Sequence, residues 1–360
     1  MFLRIKEELA DLHPAYFAVV MSTGIVSIGA SFLDWPILPR VLLWVNLFSY
    51  AILWILYILR IVTYPRRVLA DFSDHSRGVG FFTMVAATGV VAAQLTLSSE
   101  NYLWAKILWY LGAGLWFVFM YGIICALTVK QDKPSLAEGI NGGWLVAVVG
   151  TQSLCVAGCL ALPELGVGIE GSLTIMLALW LCGGMLYLWL ISIIFYRYTF
   201  FEFRPSDLMP PYWINMGAMA ISTLAGSLLI QRATDSPLLL SILPFLKGFT
   251  LWYWATATWW IPLMALLAIW RHGIKRFPIS YDQGYWGLVF PLGMYTACTF
   301  QLGRVIDSAL ISAIPRGFIF ISVLVWSLVF FGLLRRLVSI LVRSYRDIDR
   351  EIVPPGVDRL

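Results

Sequence analysis

Five threonines lie near the middles of long apolar segments, at a nearly constant spacing along the chain. Their successive separations are 65, 63, 72 and 73 residues, and they are Thr23, Thr88, Thr151, Thr223 and Thr296. Small residues lie close to them at Gly24, Ser27, Gly89, Gly150 and Gly293. Hydroxyl and backbone N–H groups can solvate an ion weakly without a fixed charge, which favours passage over tight capture. The spacing therefore predicts an internal repeat whose helices supply these residues as the lining of a pore.

Residue types that support catalysis or metal binding do not cluster in the sequence. The five cysteines form no CxxC pair, and the three histidines are isolated in polar segments, so neither a disulfide framework nor a metal site is indicated. The apolar segments with the threonines have no charged residue or histidine in their central parts, which leaves an enzyme or a proton relay without candidate residues. We expect no enzymatic activity, no cofactor and no nucleic-acid partner.

The elements that must position these residues are membrane-spanning helices. Of the 360 residues, 60% are hydrophobic and 12% are charged, whereas about 25% of the residues of a soluble domain are charged. A spanning helix needs about 20 predominantly apolar residues, and ten segments qualify: 14–33, 39–61, 78–97, 103–127, 141–162, 170–198, 212–231, 241–270, 285–305 and 318–343. We predict an all-α integral membrane protein with a cytoplasmic segment (1–13), a ten-helix pore domain (14–343) and a cytoplasmic tail (344–360).

Lysine and arginine are unequally distributed between the two predicted sides of the membrane. Counted over alternate loops and the adjoining helix ends, 19 lie on the side of the two termini and 6 on the other side. Cytoplasmic loops of membrane proteins carry the excess of basic residues. We therefore predict that both termini are cytoplasmic and that the protein lies in the plasma or inner membrane of the cell.

The odd-numbered and even-numbered spans differ in composition. The odd spans combine the threonines with Gly, Ala and Ser, whereas the even spans are rich in large aromatic residues, most clearly in 103–127 and 241–270. Small residues suit close helix packing, and large aromatic residues suit contact with lipid. We predict five helical hairpins in a quasi-fivefold ring, with the odd helices around a central pore and the even helices outside. The alternative is that the small residues serve helix packing alone.

A large side chain could close the predicted pore. Five helices spaced about 9–10 Å apart, each with a radius of about 5 Å, leave a hole of roughly 3 Å radius. In the ninth span, YWGLVFPLGMY, Pro291 removes the backbone hydrogen bond to Gly287 and predicts a kink that holds Phe290 at the bend. The alternative is a lipid-facing phenylalanine beside a packing kink, and Pro262 lies in a similar run with no predicted role.

Two segments carry a resemblance to a known family. HPAYF at His13 followed by VVMSTGIVS, and YW at Tyr285 followed by GLVFPLG, are similar to the tellurite-resistance/dicarboxylate transporter family, also called the voltage-dependent anion channel family. Its members include fungal malate and sulfite transporters and plant slow anion channels. The resemblance implies a homotrimer, passage of small anions such as chloride, nitrate, sulfite or malate without metal or organic cofactor, and occlusion of the pore by Phe290.

Two further residues are candidates for the mouths of the pore. His13 precedes Pro14 at the cytoplasmic mouth, where it is either a cap of the helix start or a contact that titrates near neutral pH. Arg304 at the outer end of the ninth span either extends its charge to the membrane interface or attracts anions. The basic segment 60–77 is interpreted as a topology signal in contact with lipid headgroups.

Three functions remain open at this point. The leading hypothesis is an anion channel for small inorganic or carboxylate anions, with a pore gate formed by Phe290 and Pro291. The alternative is a proton-coupled secondary transporter that moves four-carbon dicarboxylates such as malate or exports sulfite. A closed ring with a structural or sensory role is the third.

Overall fold

The computed structural model describes residues 2–161 and 168–352, and the side chains of 6–161, 168–340 and 342. These residues form α-helices joined by short turns, with no strand among them. The helices are α1 Phe2–Ala10, α2 Ala18–Phe32, α3 Leu38–Thr63, α4 Pro65–Phe72, α5 Phe82–Ser99, α6 Tyr102–Val129, α7 Leu136–Gly139, α8 Val146–Ala161, α9 Ile169–Phe200, α10 Ile214–Gln231, α11 Pro237–Ser241, α12 Leu243–Ala268, α13 Trp286–Ile306 and α14 Ala309–Ile352.

Within the described residues, nine helices are long and apolar enough to cross a membrane. They confirm the predicted all-α, multi-pass membrane protein. The predicted ninth span corresponds to α13, which is not among the nine. The last helix begins at Ala309 and continues to Ile352, so it extends beyond both ends of the predicted span 318–343. The end of the predicted span 141–162 and the last eight residues of the predicted tail lie outside the described residues.

The helices differ sharply in burial. In the most apolar 18-residue stretch of each helix, 78–94% of the residues are buried in α2, α5, α8 and α10 with their leading turns. The corresponding share is 17–33% in α3, α6, α9, α12 and α14. Of the 21 residues of α13, 16 are buried. Small side chains on every face of the buried helices allow contact all round, whereas the other helices expose large side chains such as Trp44, Trp189 and Leu328. We call α2, α5, α8, α10 and α13 the inner helices and the other five the outer helices.

The contacts of the inner helices form a closed cycle. Each packs against two other inner helices, in the order α2, α5, α8, α10, α13 and back to α2. Each outer helix packs against the inner helix that precedes it in the chain and also against the next inner helix of the cycle, so that α14 contacts both α13 and α2. An inner helix and the outer helix that follows it are called a hairpin below.

A short 3₁₀ turn precedes every inner helix. The five turns are Pro14–Phe17, Gly78–Phe81, Gly142–Leu145, Pro210–Trp213 and Gln283–Tyr285, and they contact one another in the same cyclic order as the helices. Close approach requires glycine at one of these contacts, because a Cβ on Gly142 would overlap Tyr212 Cα and lie 2.5 Å from the Pro211 carbonyl oxygen. The side of the molecule formed by these turns is called the N-terminal face below.

Candidate ion pathway

A small cavity lies between the inner helices. Its volume is about 20 Å³, which is room for roughly one water molecule. All five inner helices contribute to its lining, which consists of Ile25, Ile28, Phe32, Gly89, Val90, Ala93, Leu97, Ser153, Val156, Leu160, Ile221, Leu224, Leu228 and Met294. Apart from Ser153 and Gly89 these side chains are apolar, and the Ser153 hydroxyl donates a 2.8 Å hydrogen bond to the Val149 carbonyl of its own helix.

The lining residues follow helical spacing, which identifies the face that each inner helix directs to the cavity. In α10, for example, Ile221, Leu224 and Leu228 are three and four residues apart and therefore lie on one face. Of the small and hydroxyl residues predicted to line a pore, only Gly89 is among the residues that line the cavity. The hydropathy of the sequence alone could not distinguish this face, because every face of the inner helices is composed of small and apolar residues.

Aromatic side chains of the outer helices bind the inner helices, and three of the five repeat threonines, Thr23, Thr88 and Thr151, are among their partners. In each case a tryptophan or tyrosine of an outer helix forms a hydrogen bond with the middle of the next inner helix. The pairs are Tyr50 Oη with Thr88 Oγ1 (2.8 Å), Trp116 Nε1 with Thr151 Oγ1 (2.8 Å), Trp180 Nε1 with the Ser222 carbonyl (2.9 Å), Trp254 Nε1 with Thr299 Oγ1 (3.0 Å) and Trp326 Nε1 with Thr23 Oγ1 (3.0 Å). We call these five pairs the aromatic clamps.

The aromatic clamps and neighbouring hydrogen bonds give the threonine hydroxyls partners outside the cavity. The hydroxyls of Thr23, Thr88 and Thr151 are directed to α14, α3 and α6, and thus away from the cavity. Thr296 bonds to Ser322 of α14 at 3.1 Å, while Thr223 donates to the Met219 carbonyl of its own helix. The signal that sequence reasoning missed is a second repeat, because the five aromatic donors are separated by 66, 64, 74 and 72 residues, in parallel with the threonines.

The remaining small residues of the prediction lie between helices. A Cβ on Gly24 would overlap Val90 of α5, and one on Gly293 would lie 2.9 Å from Ile25 of α2. Gly150 faces α5 in the same way, and the hydroxyl of Ser27 donates a 2.9 Å hydrogen bond to the Pro39 carbonyl of α3. These positions support the alternative that the small residues allow close helix packing.

Phe290 lies one turn from the cavity, on the face of α13 that lines it. It precedes the lining residue Met294 by four residues, so the two side chains lie one above the other along the helix. Phe290 is fully buried. Pro291 packs closely on α10, because a Cβ on Gly217 would lie 2.7 Å from its Cγ. Helix α13 continues through Pro291 without interruption. In the first turn of α13, the Trp286 carbonyl accepts a 2.7 Å hydrogen bond from the Ser22 hydroxyl of α2.

His13 caps the first 3₁₀ turn at the N-terminal face. Its Nδ1 accepts a 3.0 Å hydrogen bond from the backbone N–H of Ala15. Burial lowers the pKa of His13 to about 4, and the positive charge of Arg77 acts in the same direction. The lowered pKa favours the neutral form of His13 near pH 7, and its hydrogen bond with Ala15 fits the predicted cap. Arg304 is exposed at the opposite end of the inner helices, with its guanidinium 6.0 Å from the Phe300 ring centroid.

Buried charges at the N-terminal face were not foreseen from the sequence. Asp71 lies between Arg60 Nη1 (2.8 Å) and Arg77 Nε (2.6 Å), and the Arg60 side chain is 1% exposed. Arg60 therefore does not contact lipid headgroups, contrary to the interpretation of the segment 60–77.

A second contact is repeated in four of the five hairpins. In each, a basic side chain at the end of the outer helix donates to a backbone carbonyl that precedes the inner helix of the same hairpin. The pairs are Arg60 with Ala10, Lys130 with Ser73, Arg197 with Ala137 and Arg271 with Leu208.

Among the described residues, no group of three or more His, Cys, Asp or Glu side chains could hold a metal ion. The five cysteines form no disulfide with one another. Apolar side chains make up most of the lining of the cavity between the inner helices.

Comparison with known proteins adds to this geometry. An uncharacterized transporter of Methanocaldococcus jannaschii is 28% identical over 335 residues, which cover 91% of this chain and 93% of the relative. A sulfite efflux pump of Trichophyton rubrum is 24% identical, with coverage of 89% and 90%. A malic acid transport protein of Schizosaccharomyces pombe is 20% identical, with coverage of 84% and 73%. The family described as voltage-dependent anion channel matches residues 11–334, from just before the first 3₁₀ turn into α14. The chain therefore belongs to the voltage-dependent anion channel family.

Proposed function

We propose that this protein is an anion channel that passes small inorganic or carboxylate anions between its inner helices. The observation that carries the proposal is the closed cycle of five inner helices around a cavity to which all five contribute. Chloride, nitrate, sulfite and malate are the candidate anions. Family membership supports anions as the cargo, and the sulfite and malic acid relatives support small oxyanions and carboxylates within that class.

The proposed path is closed near its N-terminal end by Phe290. At this height the faces that line the cavity offer Met21 from α2, Val85 from α5, Val149 from α8 and Gly217 from α10, each four residues before a lining residue. All four are smaller than phenylalanine, so the phenyl ring is the largest group available to fill the centre. An apolar constriction also excludes water, and a dewetted segment blocks ions. Movement of the Phe290 ring is therefore the step that opens the channel.

Anion flux into proteoliposomes tests the proposal. Wild type, Phe290→Ala and Phe119→Ala are compared with each of the four anions under a clamped potential. Phe119 of α6 is the matched control, because it is a buried phenylalanine that packs on Phe72 and Phe81 and does not line the cavity. We expect Phe290→Ala to raise the flux about tenfold or more, which corresponds to a barrier lower by about 1.4 kcal/mol, and Phe119→Ala to match wild type.

Unchanged flux in a folded Phe290→Ala variant would show that Phe290 does not close the path. Phe290→Leu is used if the alanine variant does not fold. Leucine leaves a smaller cavity than alanine at this position, so the variant should fold more readily and raise the flux by a smaller factor. Elution as a single species in detergent establishes that each variant is folded.

A proton-coupled carrier for malate or sulfite is the second candidate. The names of the sulfite efflux pump and the malic acid transport protein favour it. The lowered pKa of His13 argues against this residue as the group that couples transport to protons near neutral pH. Uptake that concentrates the anion against its own electrochemical gradient when a pH gradient is imposed would establish the carrier and exclude a passive channel.

We also propose the topology and assembly that the sequence predicts. Residues 1–13 and 344–360 flank a pore domain (14–343) with both termini in the cytoplasm of a plasma or inner membrane, which the excess of basic residues on that side supports. The homotrimer rests on the family resemblance. Cysteine labelling from each side of the membrane tests the topology, and mass measurement in detergent tests the trimer.

A further inference from the structure

A large groove opens on the N-terminal face beside α14. Its volume is about 870 Å³, which is in the range of sites that bind organic ligands. Three elements form it: α14, the segment 279–288 that leads into α13, and α1. Tyr281 of that segment reaches the α14 backbone at Gly332, where a Cβ would lie 2.6 Å from its ring.

The groove is apolar at one end and basic at the other. Leu288, Val325 and Leu328 line the apolar end. Arg335 and Arg336 line the opposite end, together with Ser339 and Glu8. Among the residues whose side chains the structure describes, Glu8 is the one carboxylate of the lining, and together with Arg335 and Arg336 it leaves a net positive charge there.

The change from apolar to basic falls at the height of lipid headgroups. Arg335 follows the start of α14 at Ala309 by 26 residues, a rise of about 39 Å along a helix. A bilayer with its headgroup regions is about 40–45 Å thick. Leu328 and Phe331, on the hydrocarbon side of Arg335, are 64% and 56% exposed, so the groove opens sideways to lipid.

The fifth hairpin departs from the repeat at this point. In the other four, a basic side chain near the end of the outer helix donates to a backbone carbonyl of its own hairpin's lead-in segment. Arg336 instead faces Glu8 at 4.0 Å, too far for a hydrogen bond, and Arg335 lies 4.8 Å from the Phe331 ring centroid. Neither guanidinium donates a hydrogen bond to a residue that the structure describes, and both border the groove.

We propose that this groove binds one anionic phospholipid of the surrounding bilayer. The phosphate accepts hydrogen bonds from Arg335 and Arg336, which lie at headgroup height, and one acyl chain lies along Leu288, Val325 and Leu328. Charge complementarity selects an anionic headgroup, because basic side chains near a membrane surface attract acidic lipids. The lateral opening and the apolar end select a lipid over a free anion. The site does not depend on the passage of anions between the inner helices.

Native mass spectrometry of the protein released from nanodiscs tests the lipid site. The nanodiscs contain phosphatidylglycerol and phosphatidylcholine in equal amounts, and bound lipid is identified by mass. We expect wild type to retain one phosphatidylglycerol per protomer, and Arg335→Gln/Arg336→Gln to lower the apparent affinity for this lipid roughly tenfold or more. The matched control is Arg66→Gln/Arg67→Gln, which removes two consecutive exposed arginines of α4 on the same face and should retain the lipid.

Two further measurements exclude other occupants. Leu288→Trp fills the apolar end and leaves both arginines in place, so it should abolish retention of the phospholipid. Inorganic phosphate at millimolar concentration should not displace the lipid, and if it does so the groove is a free-anion site. Equal lipid loss from the control pair, full retention by Arg335→Gln/Arg336→Gln, or a change in oligomeric mass in place of lipid loss would each overturn the proposal.

Discussion

The aromatic clamp between Trp116 and Thr151 provides a quantitative test of how the two layers of helices are joined. Trp116 Nε1 of α6 donates to Thr151 Oγ1 of α8 at 2.8 Å, and the same hydroxyl donates to the Ala147 carbonyl at 2.8 Å. Trp116→Phe removes the donor and keeps most of the ring. Thr151→Val is nearly isosteric and removes the acceptor.

The expected magnitude follows from the surroundings of the bond. Either single substitution breaks one interhelical hydrogen bond, and Thr151→Val also leaves the indole N–H without a partner where lipid offers none. Interhelical hydrogen bonds in membrane proteins contribute about 0.6 kcal/mol on average and up to about 1.7 kcal/mol. We therefore expect the double variant to lose less stability than the sum of the single variants, with a coupling energy of about 0.5–1.5 kcal/mol.

Reversible unfolding in detergent, followed by tryptophan fluorescence or circular dichroism, measures the four free energies of the cycle. Thr128→Val is the matched control. The Thr128 hydroxyl donates to the Ile124 carbonyl of its own helix at 2.7 Å and forms no hydrogen bond with any other helix that the structure describes. Its cycle with Trp116→Phe should be additive. A coupling energy near zero for Trp116 and Thr151 would refute the clamp. Anion selectivity altered by Thr151→Val would refute the inference that this hydroxyl is directed away from the pathway.

Three further predictions concern the N-terminal face. Asp71→Asn leaves the buried charge of Arg60 uncompensated and should lower the free energy of unfolding by about 3–5 kcal/mol. Asp11→Asn breaks an exposed ion pair with Arg67 and should lower it by less than about 1 kcal/mol. A denaturant titration measures both losses, and equal losses would contradict the argument from burial. Gly142→Ala should lower the melting temperature because its Cβ overlaps backbone atoms, while Gly114→Ala meets nothing within 4 Å and should raise it slightly. The folded protein holds the pKa of His13 at about 4, below the ordinary 6.5, so the free energy of unfolding should fall as the pH drops from about 6.5 towards 4. His13→Gln should make the free energy of unfolding less dependent on pH in this range. The same pH dependence in wild type and His13→Gln would contradict the prediction.

Much of the architecture could be predicted from the sequence, because hydropathy and composition act locally. Nine of the ten predicted spans correspond to helices long and apolar enough to cross a membrane. The contrast between small-residue and aromatic spans anticipated which helices are buried and which face lipid. Span ends were less accurate: α14 extends from Ala309 to Ile352 because neither Pro315 nor the basic residues near 335 interrupt it.

Residue types and spacing along the chain indicated the long apolar segments, the two classes of helix and the repeat, since each of these depends on what a segment can bury in lipid. Only the tertiary structure decided the direction of the threonine hydroxyls. A helix composed of small residues has no face that hydropathy can single out, so the partners across the interface fix its rotation, and Trp116 or Trp326 supplies the hydrogen bond that does so. The same holds for Arg60 and Asp71. A count of charges assigns them to a membrane surface, whereas folding brings them together and buries them.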